Sequence, residues 1–481
     1  MNNPSSELCD LSAVDALARL NAREISSVEL FDSCVQRIDT VNPVVNAVVA
    51  SDIESGRAQA QAIDKKISQG QQGLLAGLPV GIKDLESTKG LRTTFGSLEF
   101  KDHVPDFSDP MVERIAALDG NIFSKTNVPE FGAGANTFNK VYGATGNPFD
   151  VSKTCAGSSG GAAVALATGM MPLATGSDYG GSLRTPAAFC GVTGFRPSAG
   201  VAAYAHSGVG VNPFVVVGPM GRTVADTHLL LRAQAYFDPR DPYSNRELSI
   251  PDELVPADLS TVKAACSVDL GCSDVDSQIA GLFESRVSEF KPAFKECDYE
   301  HPDFGGIHDT FEVLRGVFFV AGHQERLKQH RDILSQNVID NTDRGLKLSA
   351  AQIGAAFERQ NIIYGDVLDF FKATDTDVLI TPAASVSPFK HSQLSVTEIN
   401  GRPMDTYMRW LALVYAPTMS LCCACVIPCG VDHLGMPFGI QIVGPKNSDA
   451  RVLSIALALE KLFSQSAQLA RPVPDLAGLQ A

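Results

Sequence analysis

Residues 154–186 read TCAGSSGGAAVALATGMMPLATGSDYGGSLRTP and decide how the chain is interpreted. They contain two serine-bearing glycine loops, residues 157–161 and 178–182, on either side of an apolar, helix-like run at residues 162–171. Glycines next to a serine let the backbone approach a bound group and turn its N–H groups inward. We therefore expect these loops to combine a nucleophilic hydroxyl with amides that stabilise an oxyanion.

A single lysine, Lys83, ends an apolar stretch upstream of the two loops, GLPVGIK at residues 77–83. An exposed lysine is almost wholly charged at neutral pH, whereas burial disfavours the charged form. An apolar strand around Lys83 would make it a candidate base. The alternative from the residues alone is a salt bridge between Lys83 and Asp84.

Together these stretches resemble the amidase signature family, serine hydrolases that use a Ser–cis-Ser–Lys triad. The resemblance extends over nearly the whole chain and is weakest between residues 240 and 370. Further stretches that resemble family segments, in the same order, are SKTNVPEFG (124–132), YGATGNP (142–148), PAAFCG (186–191), GPMGRTVAD (218–226) and GIQIVG (439–444).

The second glycine loop is expected to supply the nucleophile, Ser182, because this serine ends a Gly-Gly pair whose amides can converge on one point. The alternative is a tight glycine turn that only caps the next helix. Tyr179 stands where the family more often has Ile or Thr, and we expect its ring to line the site. The predicted oxyanion hole consists of the amides of Tyr179, Gly180, Gly181 and Ser182.

The first loop and the upstream lysine supply the other two triad members that the resemblance implies. Ser158 corresponds to the cis-serine that relays a proton, with a cis peptide bond at Gly157–Ser158, and Lys83 corresponds to the base. Asp178 and Arg184 resemble positions that brace the nucleophile loop. The supporting residues are thus Gly157, Ser159, Asp178 and Arg184.

Ser159 is the rival nucleophile, because residues 157–161 also satisfy the G-x-S-x-G pattern of the α/β-hydrolase elbow. That elbow requires an apolar strand directly before it, and residues 150–156, DVSKTCA, do not read as a strand. Residues 387–390, SPFK, fit an S-x-x-K pattern, but Pro388 interrupts the helix that this pattern needs. No histidine lies in any of these motifs, so a Ser-His-Asp triad has no evident base.

Composition restricts the partners and the location. The net charge of −15 over 481 residues argues against nucleic acid and anionic membrane surfaces as partners. The eleven cysteines and the first ten residues, MNNPSSELCD, which lack a secretory pattern, predict a cytoplasmic protein with free thiols. The cysteines between residues 422 and 429 lack metal-site spacing, so we expect no metal there. The family resemblance implies neither a metal nor an organic cofactor.

Residues 410–431 carry no charge and, at about 22 residues, could span a bilayer. Pro417 and Pro428 interrupt the stretch, which favours two short buried segments of a core over a membrane helix. The family resemblance implies a small-molecule amide as the binding partner. Whether the protein forms a homodimer is left open by the sequence.

Helical patterns alternate with short apolar strands, which indicates an α/β layered fold. Since both ends of the chain contribute strand patterns, we predict one large domain, and the family resemblance implies a central twisted mixed sheet with helices covering both faces. Its signature core spans about residues 70–235, a variable, substrate-shaping middle spans 240–372, and the core resumes over 375–465.

The resemblance implies hydrolysis of a carboxylic amide to an acid plus ammonia or an amine through an acyl-Ser182 intermediate. One alternative is the glutaminase-type subunit of a tRNA-dependent amidotransferase. Residues 198–206, SAGVAAYAH, depart from the pattern associated with that subunit. The other alternative is a catalytically silent binding protein with the same fold.

Overall fold

Short strands alternate with helices along the chain in the computed structural model, which describes residues 7–204, 211–247 and 250–480. The α-helices of these ranges are α1 (Ala13–Ala22), α2 (Ser27–Val45), α3 (Ile53–Ser68), α4 (Pro110–Ala117), α5 (Gly160–Ala167), α6 (Arg184–Cys190), α7 (Val224–Gln234), α8 (Ser277–Phe290), α9 (Ile307–His330), α10 (Gln336–Leu346), α11 (Ala350–Thr374), α12 (Ala412–Met419) and α13 (Asp449–Phe463). The strands are β1 (Val48–Ser51), β2 (Pro79–Lys83), β3 (Asn121–Thr126), β4 (Phe138–Asn139), β5 (Gly143–Ala144), β6 (Gly146–Asn147), β7 (Asp150–Thr154), β8 (Leu173–Asp178), β9 (Thr193–Arg196), β10 (Val216–Gly221), β11 (Lys263–Cys266), β12 (Glu296–Tyr299), β13 (Val378–Pro382), β14 (Glu398–Ile399), β15 (Arg402–Pro403), β16 (Cys423–Val431) and β17 (Pro437–Gly444).

Side-chain caps start the N-terminal helices. The Ser12 hydroxyl accepts a hydrogen bond from the Asp15 amide at the start of α1. Ser26 forms a capping box with Glu29 at the start of α2, so the cap precedes Ser27, the first helical residue. Such caps satisfy amides that have no partner inside the helix.

The core of the fold is an eleven-stranded mixed sheet with the order β1-β3-β2-β8-β10-β9-β16-β17-β13-β11-β12. β2 is parallel to both β3 and β8, and β11 is parallel to both β12 and β13. The other neighbouring strands are antiparallel. This architecture confirms the predicted single α/β domain with a central mixed sheet.

Helices cover both faces of this sheet, as two glycines of β17 show. A Cβ at Gly439 would lie 3.0 Å from Ala188 of α6, whereas one at Gly444 would lie 2.4 Å from Cγ2 of Val452 in α13. Alternate residues of a strand point to opposite faces, and these two glycines differ by an odd number of positions. α6 and α13 therefore pack on opposite faces.

The segment predicted as a variable middle also contributes to the sheet. β11 and β12 lie within residues 240–372 and extend the sheet at one edge. The helices α10 and α11 of the same segment both pack against α9, which also packs against α12. The middle is thus built onto the core and is not a separate appendage.

The interpretation of residues 150–156 as non-strand was wrong. Residues 150–154 form β7, which pairs with β6 in a separate two-stranded sheet. Its central residues Val151 and Ser152 are exposed, so polar side chains are tolerated there and the hydrophobic pattern of a core strand is absent. The strand does not belong to the central sheet.

The uncharged residues 410–431 form two buried elements, α12 and β16, as predicted. No helix in the described ranges combines the length and hydrophobicity of a bilayer crossing. All eleven cysteines are free, and ten of them are buried, with Cys272 partly exposed. Within the described residues, no group of three or more His, Cys, Asp or Glu side chains is arranged to hold a metal ion.

We predict that Gly194→Ala destabilises the fold, because a Cβ at Gly194 in β9 would lie 2.2 Å from the Leu183 carbonyl oxygen. Overpacking of this kind costs about 1–3 kcal/mol in the free energy of unfolding, measured by urea denaturation. Gly281→Ala is the matched control, since no atom lies within 4 Å of a Cβ on that exposed residue of α8. Equal unfolding midpoints for the two variants would contradict this packing.

Candidate active site

The candidate site lies at the C-terminal ends of two neighbouring parallel strands of the sheet, β2 and β8. Lys83 is the last residue of β2, and Asp178 is the last residue of β8. The carboxyl ends of parallel neighbours meet at the same edge, where α/β folds commonly place their ligands. The first glycine loop leads into α5, and the second joins β8 to α6.

Three serine hydroxyls surround the amine of Lys83. Its Nζ lies 2.8 Å from Ser158 Oγ, 2.8 Å from Ser159 Oγ and 2.9 Å from Ser177 Oγ. Lys83 is completely buried. Burial lowers the pKa of Lys83 to about 8, although the carboxylates of Glu86 and Asp178 oppose this shift. The neutral amine is therefore far more populated near pH 7 than it would be in an exposed lysine.

Glu86 is a buried carboxyl group behind Lys83. The Lys83 amide donates to Thr175 Oγ1 at 3.0 Å, and that hydroxyl donates to Glu86 Oε2 at 3.2 Å. Burial raises the pKa of Glu86 to about 7, while the charges of Lys83 and Lys125 act in the opposite direction. Glu86 thus influences the charge of Lys83 without facing the cavity beyond it.

The three serines differ in their access to that cavity. The peptide bond Gly157–Ser158 is cis, as the family resemblance implied. Ser158 and the partly exposed Ser182 both line the cavity, whereas Ser159 is fully buried and does not. The amide of Ser159 donates to the Ser182 carbonyl at 3.3 Å, which joins the two loops. Among the described residues, no side chain is hydrogen bonded to the Ser182 hydroxyl.

Asp178 braces the loop that carries Ser182. Its carboxylate accepts from the amides of Gly181 at 3.0 Å and Leu183 at 3.1 Å. It also accepts from Arg184 Nη2 at 2.8 Å and from Arg196 Nη1 at 3.2 Å. Burial alone would raise the pKa of Asp178, but the two guanidinium groups hold it well below its usual range.

Arg184 connects this brace to distant elements of the fold. Its Nη1 donates to Gln441 Oε1 at 2.6 Å, and its Nη2 donates to Thr418 Oγ1 at 2.8 Å. The sequence predicted Asp178 and Arg184 as the bracing pair but missed Arg196. Arg196 ends the otherwise uncharged β9, and a charge at that position in a buried strand was the available signal.

The four amides predicted for the oxyanion hole are not equivalent. The Gly181 amide is directed to Asp178. In the described part of the chain, the amides of Gly180 and Ser182 donate to no protein group. Gly181 has φ +108, and a Cβ there would lie 2.3 Å from Cγ2 of Val414, so only glycine fits this turn.

The cavity above these loops has a volume of about 100 Å³, and its wall combines backbone and small polar groups of the loops with several aromatic side chains. Tyr179 lines this cavity, and its ring stacks on Phe318 with ring centroids 5.5 Å apart. Arg315 of α9 also lines the cavity and was missed from the sequence. Its position inside an apolar run, LRGVFFV at residues 314–320, was the signal.

The comparison with protein families agrees with this arrangement. The amidase family model matches residues 29–453. The chain belongs to the amidase family. An acylamidase of Rhodococcus erythropolis is 31% identical over 457 residues, which cover 94% of this chain and 95% of that enzyme.

Other amidase-family proteins are similarly related. A glutamyl-tRNA(Gln) amidotransferase subunit of Acaryochloris marina is 28% identical over 479 residues, covering 94% of this chain and 98% of that protein. The crystal structure of a bacterial aryl acylamidase of the amidase signature family superposes with a TM-score of 0.88 at 26% identity. It covers 94% of this chain and 96% of that one.

We predict that Asp178→Asn strongly destabilises the protein, because two buried guanidinium groups lose their counter-charge. Breaking one partner of a buried ion pair typically costs about 3–5 kcal/mol in the free energy of unfolding. Asp343→Asn is the control, since Asp343 pairs with Arg331 at a solvent-exposed site where ion pairs contribute little. Similar urea midpoints for both variants would show that the Asp178 cluster does not stabilise the fold.

Proposed function

We propose that the protein is an amide hydrolase that cleaves a carboxylic amide to an acid plus ammonia or an amine through an acyl-Ser182 intermediate. The observation that carries the proposal is the hydrogen bond between the buried Lys83 amine and the Ser158 hydroxyl, which lines the same cavity as Ser182. A base, a relay and a nucleophile are the three parts that such a reaction needs. The amidase family membership agrees with this chemistry.

The reaction begins with proton transfer along the three side chains. Neutral Lys83 accepts a proton from Ser158, which accepts one from Ser182, and Ser182 Oγ then attacks the amide carbon. Ser158 and Ser182 are not hydrogen bonded to each other in this structure, but catalytic hydrogen bonds often tighten only when substrate is present. Both hydroxyls face the cavity, so a substrate there can complete the relay.

The amides of Gly180 and Ser182 are the best placed to stabilise the oxyanion, because no protein acceptor in the described residues occupies them. The amide of Tyr179 remains a candidate, and that of Gly181 would have to leave Asp178 to take part. Ser158 returns its proton to the leaving nitrogen as the C–N bond breaks. Lys83 then returns the proton it took to Ser158, which restores both groups. Water attacks the acyl-Ser182 ester, its proton passes to Ser158 and on to Lys83, and Ser182 Oγ regains a proton along the same relay as its bond to the acyl carbon breaks and the acid is released.

The lowered pKa of Lys83 has a quantitative consequence for this mechanism. With a pKa of about 8, about one amine in ten is neutral at pH 7. An unperturbed lysine, with a pKa near 10.4, would be neutral in only about one molecule in 2,500. Burial therefore increases the population of the reactive form by roughly two orders of magnitude.

A glutaminase-type subunit is the second candidate, since amidotransferase subunits are among the relatives. Glutamine carries an α-ammonium group as well as its amide. The described wall of the cavity offers Asp178 as its only carboxylate, and two arginines already bind that group. Residues 198–204 of the departing segment lie in the structure, while Ala205 and His206 lie outside the described residues. We favour the hydrolase over this candidate and over a silent binding protein.

We further propose a cytoplasmic location, because the eleven cysteines are all free and such thiols persist in a reducing compartment. The net charge of −15 disfavours nucleic acid as a partner. A homodimer stays a prediction.

We expect Ser182→Ala to abolish both amide turnover and covalent labelling by a fluorophosphonate. Ser159→Ala is the matched control, because Ser159 is buried beside Lys83 and does not face the cavity. It should retain labelling, although losing one Lys83 partner should slow turnover. Labelling would be followed by intact-protein mass spectrometry, and turnover on a panel of amides that includes glutamine. Labelled Ser182→Ala with unlabelled Ser159→Ala would make Ser159 the nucleophile.

The pH dependence should identify Lys83 as the base. Only the neutral amine accepts a proton, so kcat/KM should rise with pH around an inflection near 8. Lys83→Met should lower kcat/KM by orders of magnitude and remove the rise. Glu86→Gln should move the inflection to lower pH, because the Glu86 carboxylate raises the pKa of Lys83. An unchanged inflection in Lys83→Met would refute the lysine base.

A further inference from the structure

Arg315 is a buried cation in the wall of the catalytic cavity. It lies in α9, has only 6% of its surface exposed, and lines the same cavity as Ser158 and Ser182. The catalytic steps proposed above do not use it. A buried arginine is normally paired with an acidic group, because burying an unpaired charge is costly.

The contacts of Arg315 leave part of its hydrogen-bonding capacity unused. Nε donates to Asn341 Oδ1 at 3.3 Å, and Nη2 donates to Tyr407 Oη at 2.6 Å. A guanidinium group has five N–H donors, and these two neutral partners occupy only two of them. No carboxylate in the described ranges lies within ion-pair distance of Arg315. In contrast, Asp178 serves both Arg184 and Arg196.

Aromatic rings surround the guanidinium group. Its Cζ lies 4.7 Å from the ring centroid of Phe319, 5.6 Å from Tyr179, 5.8 Å from Tyr407 and 5.9 Å from Phe311. Such contacts partly stabilise a buried cation but supply no counter-charge. The Tyr179 hydroxyl, whose oxygen is buried in the same wall, also has no hydrogen-bond partner in the described residues.

We propose that Arg315 binds a carboxylate on the substrate, so that the enzyme acts on amides that also carry a carboxylate group. This inference rests on the proposed amide hydrolysis. The planar guanidinium group can form two parallel hydrogen bonds to a carboxylate. The negative charge of the ligand would also supply the counter-charge that Arg315 lacks in the protein. The Tyr179 hydroxyl can donate a further hydrogen bond, and the aromatic rings contact the apolar part of the substrate.

The charge of the cavity narrows the substrate class further. Asp178 is the only carboxylate that the described residues contribute to the wall, and two guanidinium groups neutralise it. An ammonium group on the substrate would find no counter-charge there. The substrate class is therefore an acidic amide without a free α-amino group, either a monoamide of a dicarboxylic acid or an N-acyl amino acid.

Matched pairs of amides test the proposal. Succinamic acid is compared with succinamide, and an N-acyl amino acid is compared with its carboxamide, so that the two arms place the carboxylate on the acyl or on the amine side. The wild-type enzyme should favour the charged member of at least one pair by about 10-fold or more in kcat/KM. Arg315→Met should reduce this charged-to-neutral ratio to about 1, and Arg315→Lys should give an intermediate ratio.

Arg331→Met is the matched control, because Arg331 follows the same helix but pairs with Asp343 at the surface. It should leave the ratio unchanged. If Arg315→Met lowered kcat/KM equally for the charged and the neutral amide of a pair, the proposal would be overturned and Arg315 would have a structural role. A wild-type ratio near 1 in both pairs would overturn it as well, even if Arg315→Met did not fold. Preference for a sulfonate or phosphonate analogue over the carboxylate would also overturn it.

Binding separates this inference from the proposed reaction. Titration calorimetry on Ser182→Ala measures affinity for the same pairs without turnover. Tighter binding of the charged member that is lost in Ser182→Ala/Arg315→Met supports the carboxylate site even if no amide is hydrolysed. If the enzyme hydrolyses amides but binds the charged and neutral members equally well, the proposed amide hydrolysis stands and the carboxylate-binding role of Arg315 is rejected.

Discussion

The buried carboxylate of Asp178 is the interaction on which the rest of the site depends. Its oxygens accept from the amides on both sides of Ser182, those of Gly181 and Leu183. They also bind Arg184 and Arg196. The position of Ser182, the proposed nucleophile, is therefore held by a buried charge whose interactions weaken if water enters. Any change that admits water or removes a partner alters the stability of the fold and the geometry of the loop together.

The same cluster explains why residues far apart in the chain must fold as one unit. Arg184 reaches Gln441 in β17 and Thr418 in α12, and Arg196 lies in β9. Each element supplies a hydrogen bond that the buried charges require. The resumed core after residue 375 thus completes a site that begins at Lys83, which is why both ends of the chain contribute strands to one sheet.

Much of this was predictable because it depends on local patterns. Alternating helix and strand signals predicted a layered α/β fold. The glycine loops and the strand-end lysine, together with the family resemblance, singled out Lys83, Ser158 and Ser182. Residues whose roles arise only from tertiary contacts were missed. Ser177 approaches Lys83 from the neighbouring strand β8, and burial of the turn after β2 places the Glu86 carboxyl where its charge acts on Lys83. Arg315 comes from a helix in the segment with the weakest resemblance. β7 was missed because its exposed residues pair locally, without the apolar pattern of a core strand.

The free cysteines have a consequence for how the motions of the molecule can be observed. Ten of the eleven thiols are buried, and burial raises the pKa of Cys422 to about 11, which suppresses the reactive thiolate. Alkylation of such a thiol requires that its surroundings open first. The thiols are distributed from Cys9 in the N-terminal region to Cys429 in β16. Their relative alkylation rates would therefore report how readily each part of the native structure opens locally.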